Sequence, residues 1–269
     1  MSKKKKVDNR HLFHAICHLN VVPVWAYPSD DSIMVSQILF GETCTILEKK
    51  NKNWYKIQTT VCNIVGWVHS IQIKLVNQIS FENLSNNAAT ALEICHPAFN
   101  EENSKSIVIG SSLPLYDGIS FQMPENKYVY NGQAALSEGL ELNSELLIKL
   151  ARRYLFSPEL RGGRSPFGID SGALIQNVFK FFGIFMPRFP HEQYLHGEIV
   201  DFAELASEGD LAFCENKEGH IHHVGLIIGE KKVIHVYGCV RIDKFDHHGF
   251  YNSDLQKYTH KLRIIKKVS

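Results

Sequence analysis

The chain has no long apolar run, no excess of charge of either sign and no closely paired cysteines, and each absence removes a class of function. A bilayer-spanning helix needs about 20 consecutive apolar residues, and no stretch approaches that. The 29 Lys and Arg are balanced by 28 Asp and Glu, leaving a formal net charge of +1. Such a balance calls for neither nucleic acid nor a membrane surface as partner. The one dense basic run, residues 3–6, is followed by Val7-Asp8-Asn9-Arg10-His11, which interrupts any apolar segment of an export signal. A solvated, disordered terminus over residues 1–13 and a cytoplasmic protein are therefore expected. The six cysteines, at 17, 44, 62, 95, 214 and 239, form no C-x-x-C pair. They read as reduced, mostly buried thiols, as a reducing compartment allows.

With 269 residues, the chain is long enough for one large or two to three small domains. Short strands separated by polar turns fill residues 14–77. A turn at Gly41-Glu42 precedes a strand, Trp54-Tyr55-Lys56-Ile57 forms another, and Gly66-Trp67-Val68 closes the series. Strands this closely spaced suggest a small barrel. Residues 78–140 are less regular, with a short helix expected within 83–93 and strands at 106–110 and 127–130.

From 141 the hydrophobic period lengthens. Ser144, the expected N-cap, and Glu145 open a helix over 146–155. A loop with Gly162-Gly163 leads to a second helix starting at about Ser171. There Leu174, Ile175, Val178, Phe179 and Phe182 share one face, and Gly183 signals the stop. Free N–H groups and the positive dipole end at this helix start would activate a cysteine. The residue present is Ser171. Strand signals fill 211–214, 223–229, 232–238, 240–243 and 261–266. Helices followed by an antiparallel run make an α+β pattern.

His223 and His235 lie on successive strands. A three-residue turn, Gly229-Glu230-Lys231, would pair Gly225 with His235 and leave His223 two residues along on the same face, whereas a two-residue turn would put the histidines on opposite faces. The run His220, His222, His223 lacks the spacing of a metal-binding set, so neither metal nor cofactor is expected.

The order of these features resembles the papain-like NlpC family of bacterial peptidoglycan peptidases. The resemblance is carried by Gly162-Gly163-Arg164-Ser165, Gly168-Ile169-Asp170, Gly183-Ile184, Met186-Pro187-Arg188 with Gln193 downstream, Gly209-Asp210-Leu211-Ala212-Phe213, His223-Val224-Gly225, and Ile234-His235 with Val240-Arg241-Ile242-Asp243. Residues 14–77 resemble a bacterial SH3-type domain. The implied architecture is α+β: a papain-like domain over 141–269, preceded by an SH3-type barrel over 14–77 and a divergent second SH3-like barrel over 78–140.

In that family a cysteine attacks a peptide carbonyl, a first histidine is its base, and a second polar residue orients the base. By position these are Ser171, His223 and His235. The family pattern Asp-Cys-Ser-Gly-Leu is here Asp170-Ser171-Gly172-Ala173-Leu174, and Pro-Tyr-x-Trp-Gly-Gly is Pro158-Glu159-Leu160-Arg161-Gly162-Gly163. A serine hydroxyl is a far weaker acid than a thiol, so the resemblance implies a catalytically inactive homologue that binds cell-wall stem peptides or related small peptides. Asp170, Glu159 and Arg161 are its expected ligand contacts, with Asp170 facing the ammonium of a free amino terminus, serving as the helix N-cap, or filling both roles at once. An active γ-D-glutamyl-diamino acid endopeptidase built on Ser171, His223 and His235 is the alternative, with Cys214 or Cys239 as substitute nucleophiles. A scaffold for a protein partner, its pocket filled by Glu159 and Arg161, is a third.

Overall fold

The structure is a computed structural model that describes residues 13–86 and 88–268. The expected disordered terminus lies outside the described residues, except for Phe13, which opens the first strand.

The first unit holds β1 (Phe13–Cys17), β2 (Val21–Trp25), β3 (Met34–Leu39), β4 (Thr43–Lys50), β5 (Trp54–Thr59), β6 (Val65–His69) and β7 (Ile73–Val76). They form one antiparallel sheet in the order β3-β2-β6-β5-β4-β1-β7. Its core is β-branched and small: Ala15, Val22, Val24, Ile38, Ile57 and Val68 are all fully buried. Gly41 turns β3 into β4 with φ +74°, where a side chain would run into the carbonyl of Ser112.

Helix α1 (Gln78–Asn86) follows, then β8 (Ala88–Ala91), β9 (Cys95–Phe99), β10 (Ser104–Val108), β11 (Ser112–Pro114), β12 (Ser120–Gln122), β13 (Lys127–Val129) and β14 (Ala134–Ala135). They make two small sheets, β10-β9-β13-β12 and β11-β8-β14, over a shared core that includes Phe40, Phe121, Tyr128 and Tyr130. The helix expected within 83–93 lies earlier in the chain. The alanines at 88–91 are strand, because β8 pairs with both β11 and β14 and buries Ala89 and Ala91. Pairing and burial override the helical preference of alanine there.

The last unit begins with α2 (Ser144–Arg152), capped by Asn143, whose Oδ1 accepts from Leu146 N at 3.0 Å. The cap is therefore one residue earlier than expected. The short pair β15 (Arg164–Ser165) and β16 (Gly168–Ile169) leads into α3 (Ser171–Lys180), followed by α4 (Pro190–Gln193) and β17 (Glu198–Val200). Then come β18 (Leu211–Glu215), β19 (Ile221–Ile227), β20 (Lys232–Tyr237), β21 (Cys239–Asp246), β22 (Gly249–Asn252) and β23 (Lys257–Lys267). Because β22 pairs with β23 and β23 with β18, six strands close into a barrel, and β17 extends it beyond β23. The molecule is strand-rich, and its helices are few and short.

Strand alternation divides this barrel. Leu211, Phe213, Val224, Leu226, Ile234 and Val236 pack outward with the residues of α2 and α3. Ala212, Cys214, Ile227, Val233, Phe245 and Phe250 fill the inside. The expected single buried face of α3 is too little: all ten of its residues are buried. The barrel covers one side, and the first unit reaches the other through ion pairs.

Those ion pairs converge on Glu42, at the start of β4. Arg164 donates to both of its carboxylate oxygens, at 2.8 and 3.0 Å, and Lys180 Nζ donates to Oε1 at 2.8 Å. Lys180 also donates to Gly110 O and Ser112 Oγ. The N-terminal sheet, the middle segment and α3 thus meet at one buried carboxylate. Burial alone would raise the pKa of Glu42, but Arg164 and Lys180 hold it down at about 2.

Candidate active site

Two clusters of polar side chains occupy the region where the sequence places its site. The first is the start of α3. Asp170 is the N-cap: its Oδ1 accepts from Ala173 N at 3.0 Å, and its Oδ2 accepts from Gly162 N at 2.9 Å. Arg188, fully buried, grips the same carboxylate with Nη1 at 2.7 Å and Nη2 at 2.6 Å. Both oxygens of Asp170 are therefore engaged within the protein, which is the capping role. Gly172 follows because the chain at Arg188 passes too close for a larger residue: a Cβ there would lie 2.5 Å from Arg188 O. The departure at Gly172 from the family pattern thus has a packing reason. Ser171 is buried, and among the described residues its hydroxyl makes no hydrogen bond.

The second cluster is the histidine relay. The turn between β19 and β20 spans Gly229-Glu230-Lys231, all with positive φ, closed by Ile228 N donating to Lys232 O at 3.0 Å. It is the odd turn. Leu226 pairs with Ile234 and Ile227 with Val233, so His223 and His235 share the inner barrel face. Their Nε2 and Nδ1 are 3.0 Å apart. His235 Nε2 in turn lies 3.2 Å from Asp243 Oδ2. Asp243 is fixed by Arg241 Nε at 3.0 Å and Asn252 Nδ2 at 3.1 Å. Because His235 is registered opposite Arg241, Asp243, two residues on, projects to the same side.

These partners set one tautomer for a base. With Asp243 ionised, His235 carries its proton on Nε2, leaving Nδ1 to accept from His223 Nε2–H. His223 Nδ1 then has a free lone pair. Burial, followed by the neighbouring imidazoles of His260, His235 and His222, holds the pKa of His223 well below the usual histidine range. Burial also lowers His235, against the opposing pull of Asp243. Asp243 stays below the ordinary aspartate value because its contacts with His235 and Arg241 outweigh its burial. At neutral pH the relay is a pair of neutral imidazoles ending on a carboxylate.

The remaining expected contacts fall at the margin. Glu159 Oε2 accepts from Gly238 N at 2.7 Å, and its charge favours protonated His235. Arg161 is exposed and has no polar partner among the described residues, so the two side chains neither pair nor fill a pocket. Cys214 is fully buried inside the barrel, and its thiol pKa is pushed up by burial, which removes it as a nucleophile. Sequence reasoning quoted Asp243 and Arg188 only as parts of motifs and missed their roles. It missed Asn252 and His260 altogether. His260 lies face to face with His223, ring centroids 3.8 Å apart.

The NlpC/P60 family model matches residues 158–260, and that of the bacterial dipeptidyl-peptidase Sh3 domain matches 25–73. Two curated relatives are named gamma-D-glutamyl-L-lysine dipeptidyl-peptidase. The Bacillus cereus protein is 28% identical over 74% of this chain and 66% of its own length. The Bacillus subtilis protein is 26% identical over 76% of this chain and 73% of its own. A Haemophilus influenzae protein named "Probable endopeptidase" is 30% identical over 49% of this chain and 81% of its own length. Among solved structures, an NlpC/P60 family protein from Bacillus cereus superposes with TM-score 0.80 at 20% identity, over 94% of this chain and 99% of the other. An NlpC/P60 endopeptidase from Photobacterium damselae gives 0.66 at 18% identity, over 93% of this chain and 70% of its own. The NlpC/P60 match spans the helix that carries Ser171 and most of the barrel, and the SH3 match falls on the strands that precede them: this chain belongs to the NlpC/P60 family, with a bacterial SH3 domain ahead of the peptidase fold.

Proposed function

We propose that this protein hydrolyses the bond between γ-D-glutamate and lysine, or a related diamino acid, in short cell-wall peptides, with Ser171 as nucleophile. The observation that carries this reading is the intact relay from His223 through His235 to Asp243. Burying three polar groups in a barrel is costly unless each is paired, and this set is paired in the order a general base requires. In the proposed reaction the Ser171 hydroxyl oxygen bonds to the γ-carbonyl carbon and its proton passes to His223 Nδ1. Backbone N–H groups at the start of α3 receive the oxyanion. Collapse of that intermediate breaks the C–N bond, and His223 returns the proton to the leaving amine. Water then releases the glutamyl ester by the same route.

The names of the Bacillus relatives support this active reading over an inactive homologue. Binding without turnover is the second reading, favoured by the unbonded Ser171 hydroxyl, since a serine left without its base reacts poorly. We read residues 78–140 as a second, divergent SH3-like barrel and the whole as an α+β arrangement in which the N-terminal units wall the site. We place the activity in the cytoplasm, which the six free thiols suit. Among the described residues no helix is long and apolar enough to cross a membrane.

Calorimetric titration with L-Ala-γ-D-Glu-L-Lys, followed by mass spectrometry of the mixture, tests the proposal. Release of L-Ala-γ-D-Glu and lysine is expected. Binding with the peptide recovered whole would establish the second reading, and absence of binding would overturn both.

A further inference from the structure

Among the described residues, His260 on β23 makes no side-chain hydrogen bond to any member of the relay; its Nδ1 sits 3.0 Å from Thr259 Oγ1. Its ring nevertheless lies flat against that of His223, centroids 3.8 Å apart at an interplanar angle of 23°. Strand pairing puts it there. Phe250 of β22 is registered opposite His260, and its ring meets those of His223, His235 and His260 at centroid distances of 5.9, 4.8 and 5.8 Å. The rings of His222 and Tyr237 flank His260 in turn, at 6.0 and 5.4 Å. His260 is thus held in place by rings from β19, β20 and β22.

His223 needs such a neighbour. Its relay bond holds one ring atom, Nε2, against His235 Nδ1 at 3.0 Å. The torsion that turns a histidine ring about its Cβ–Cγ bond is broad, with two settings half a turn apart. The hydrogen bond selects between those settings, since only one presents Nε2 to His235. It restrains tilt weakly, because a hydrogen bond loses strength steeply only below about 120°. A flat ring 3.8 Å away restrains tilt strongly: any rotation drives the edge of His223 into the face of His260, in an interior packed without spare room. The bond and the stack restrain different motions, and together they set where the Nδ1 lone pair points.

We propose that His260 is a positioning residue for the base: its flat face fixes the plane of the His223 ring and, with it, the direction in which Nδ1 takes up a proton. The catalytic consequence rests on the proposed hydrolysis at Ser171, whereas the placement of the ring does not. A platform this close has to be uncharged. His223 becomes a cation when it accepts the serine proton, and a second cation face to face with it would oppose that transfer. Burial, followed by the imidazoles of His235 and His222 and against the pull of Asp243, holds the pKa of His260 down at about 3, so it is neutral at neutral pH. An aliphatic side chain would fill the same space without offering a plane, so flatness is what the position requires.

The test compares full-length unaltered protein with His260→Phe, which keeps a flat face, and with His260→Leu and His260→Ala, which do not, all shown to be folded by circular dichroism. Nitrogen-15 NMR without peptide reads the His223 ring, its signals assigned by their loss in His223→Gln. The unaltered protein and His260→Phe should show one bare and one protonated ring nitrogen and an Nε2–H protected from exchange. In His260→Leu and His260→Ala the two nitrogen shifts should move toward their average and the protection should be lost. With L-Ala-γ-D-Glu-L-Lys, the same two variants should lower kcat by roughly 10- to 100-fold with KM little changed, as misplacement of a reacting group does, and His260→Phe should restore it. An ordered ring in His260→Leu, or one as disordered in His260→Phe as in His260→Leu, would overturn the placement. A disordered ring with kcat unchanged would overturn the catalytic consequence. If the unaltered protein cleaves no peptide, the hydrolytic reading fails, and the NMR comparison decides the placement by itself.

Discussion

Two buried polar clusters, some distance apart in the chain, solve the same problem in opposite ways. At Glu42 the charges are kept and paired: one carboxylate takes Arg164 on both oxygens and Lys180 on one. At His223 the charges are removed: burial holds His223, His235 and His260 neutral, with the pKa of His260 lowered to about 3. The first cluster joins the N-terminal sheet to the helix that carries Ser171, so its charges are structural. The second keeps a lone pair available, and a lone pair is what a general base needs. The difference teaches that burial of polar groups marks neither chemistry nor architecture by itself. What separates them is whether protons and lone pairs are all spent within the protein.

The contrast breaks most severely at Glu42. Glu42→Gln leaves Arg164 and Lys180 buried without their anion, and removal of one partner of a buried pair costs about 3–5 kcal/mol. Urea unfolding should show a loss of that size. Asp170→Ala leaves Arg188 buried and unpaired and removes the α3 N-cap, with an expected loss of about 3 kcal/mol in the same assay.

Acid sharpens the comparison. The histidines have folded pKa values below their unfolded value of 6.5. The unfolded chain therefore binds more protons below that pH. Their contribution is fully present above 6.5 and is lost as pH falls, by up to ~1.4 kcal/mol per pH unit for each histidine. Glu42 also has a depressed pKa, but from 4.5 to about 2, so its contribution survives until pH drops below 4.5. Unfolding followed from pH 8 downward should show a first decline starting near 6.5 and a steeper one below 4.5. A stability flat between 6.5 and 4.5 would mean that the histidines are not held neutral.

Much of this was legible in sequence because local signals carried it. Asp170 before Ser171, the apolar spacing from Leu174 to Phe182 and Gly183 marked α3. The sequence around Gly229-Glu230-Lys231 offered two turn lengths, and the structure has the three-residue one that puts His223 and His235 on a shared face. The rest depended on contacts between distant segments. Nothing near Asp243 in sequence announces His235, since the link exists only once β20 and β21 are paired in register. His260 reaches the site because β23 closes the barrel against β22, a closure that no local period encodes. Glu42 looked like half of a turn. Its role appears only when Arg164 and Lys180, more than 100 positions later in the sequence, arrive from another unit.

The central claim is that the neutral relay makes Ser171 a nucleophile, and one comparison tests it directly. Turnover of L-Ala-γ-D-Glu-L-Lys is measured for the unaltered protein and for Ser171→Ala, with both shown to be folded and to bind the peptide. Loss of the hydroxyl should lower kcat by roughly 10³-fold or more, since removal of a nucleophile leaves only the catalysis that binding and dipoles supply. Equal turnover by the two proteins would contradict the account and place the chemistry elsewhere.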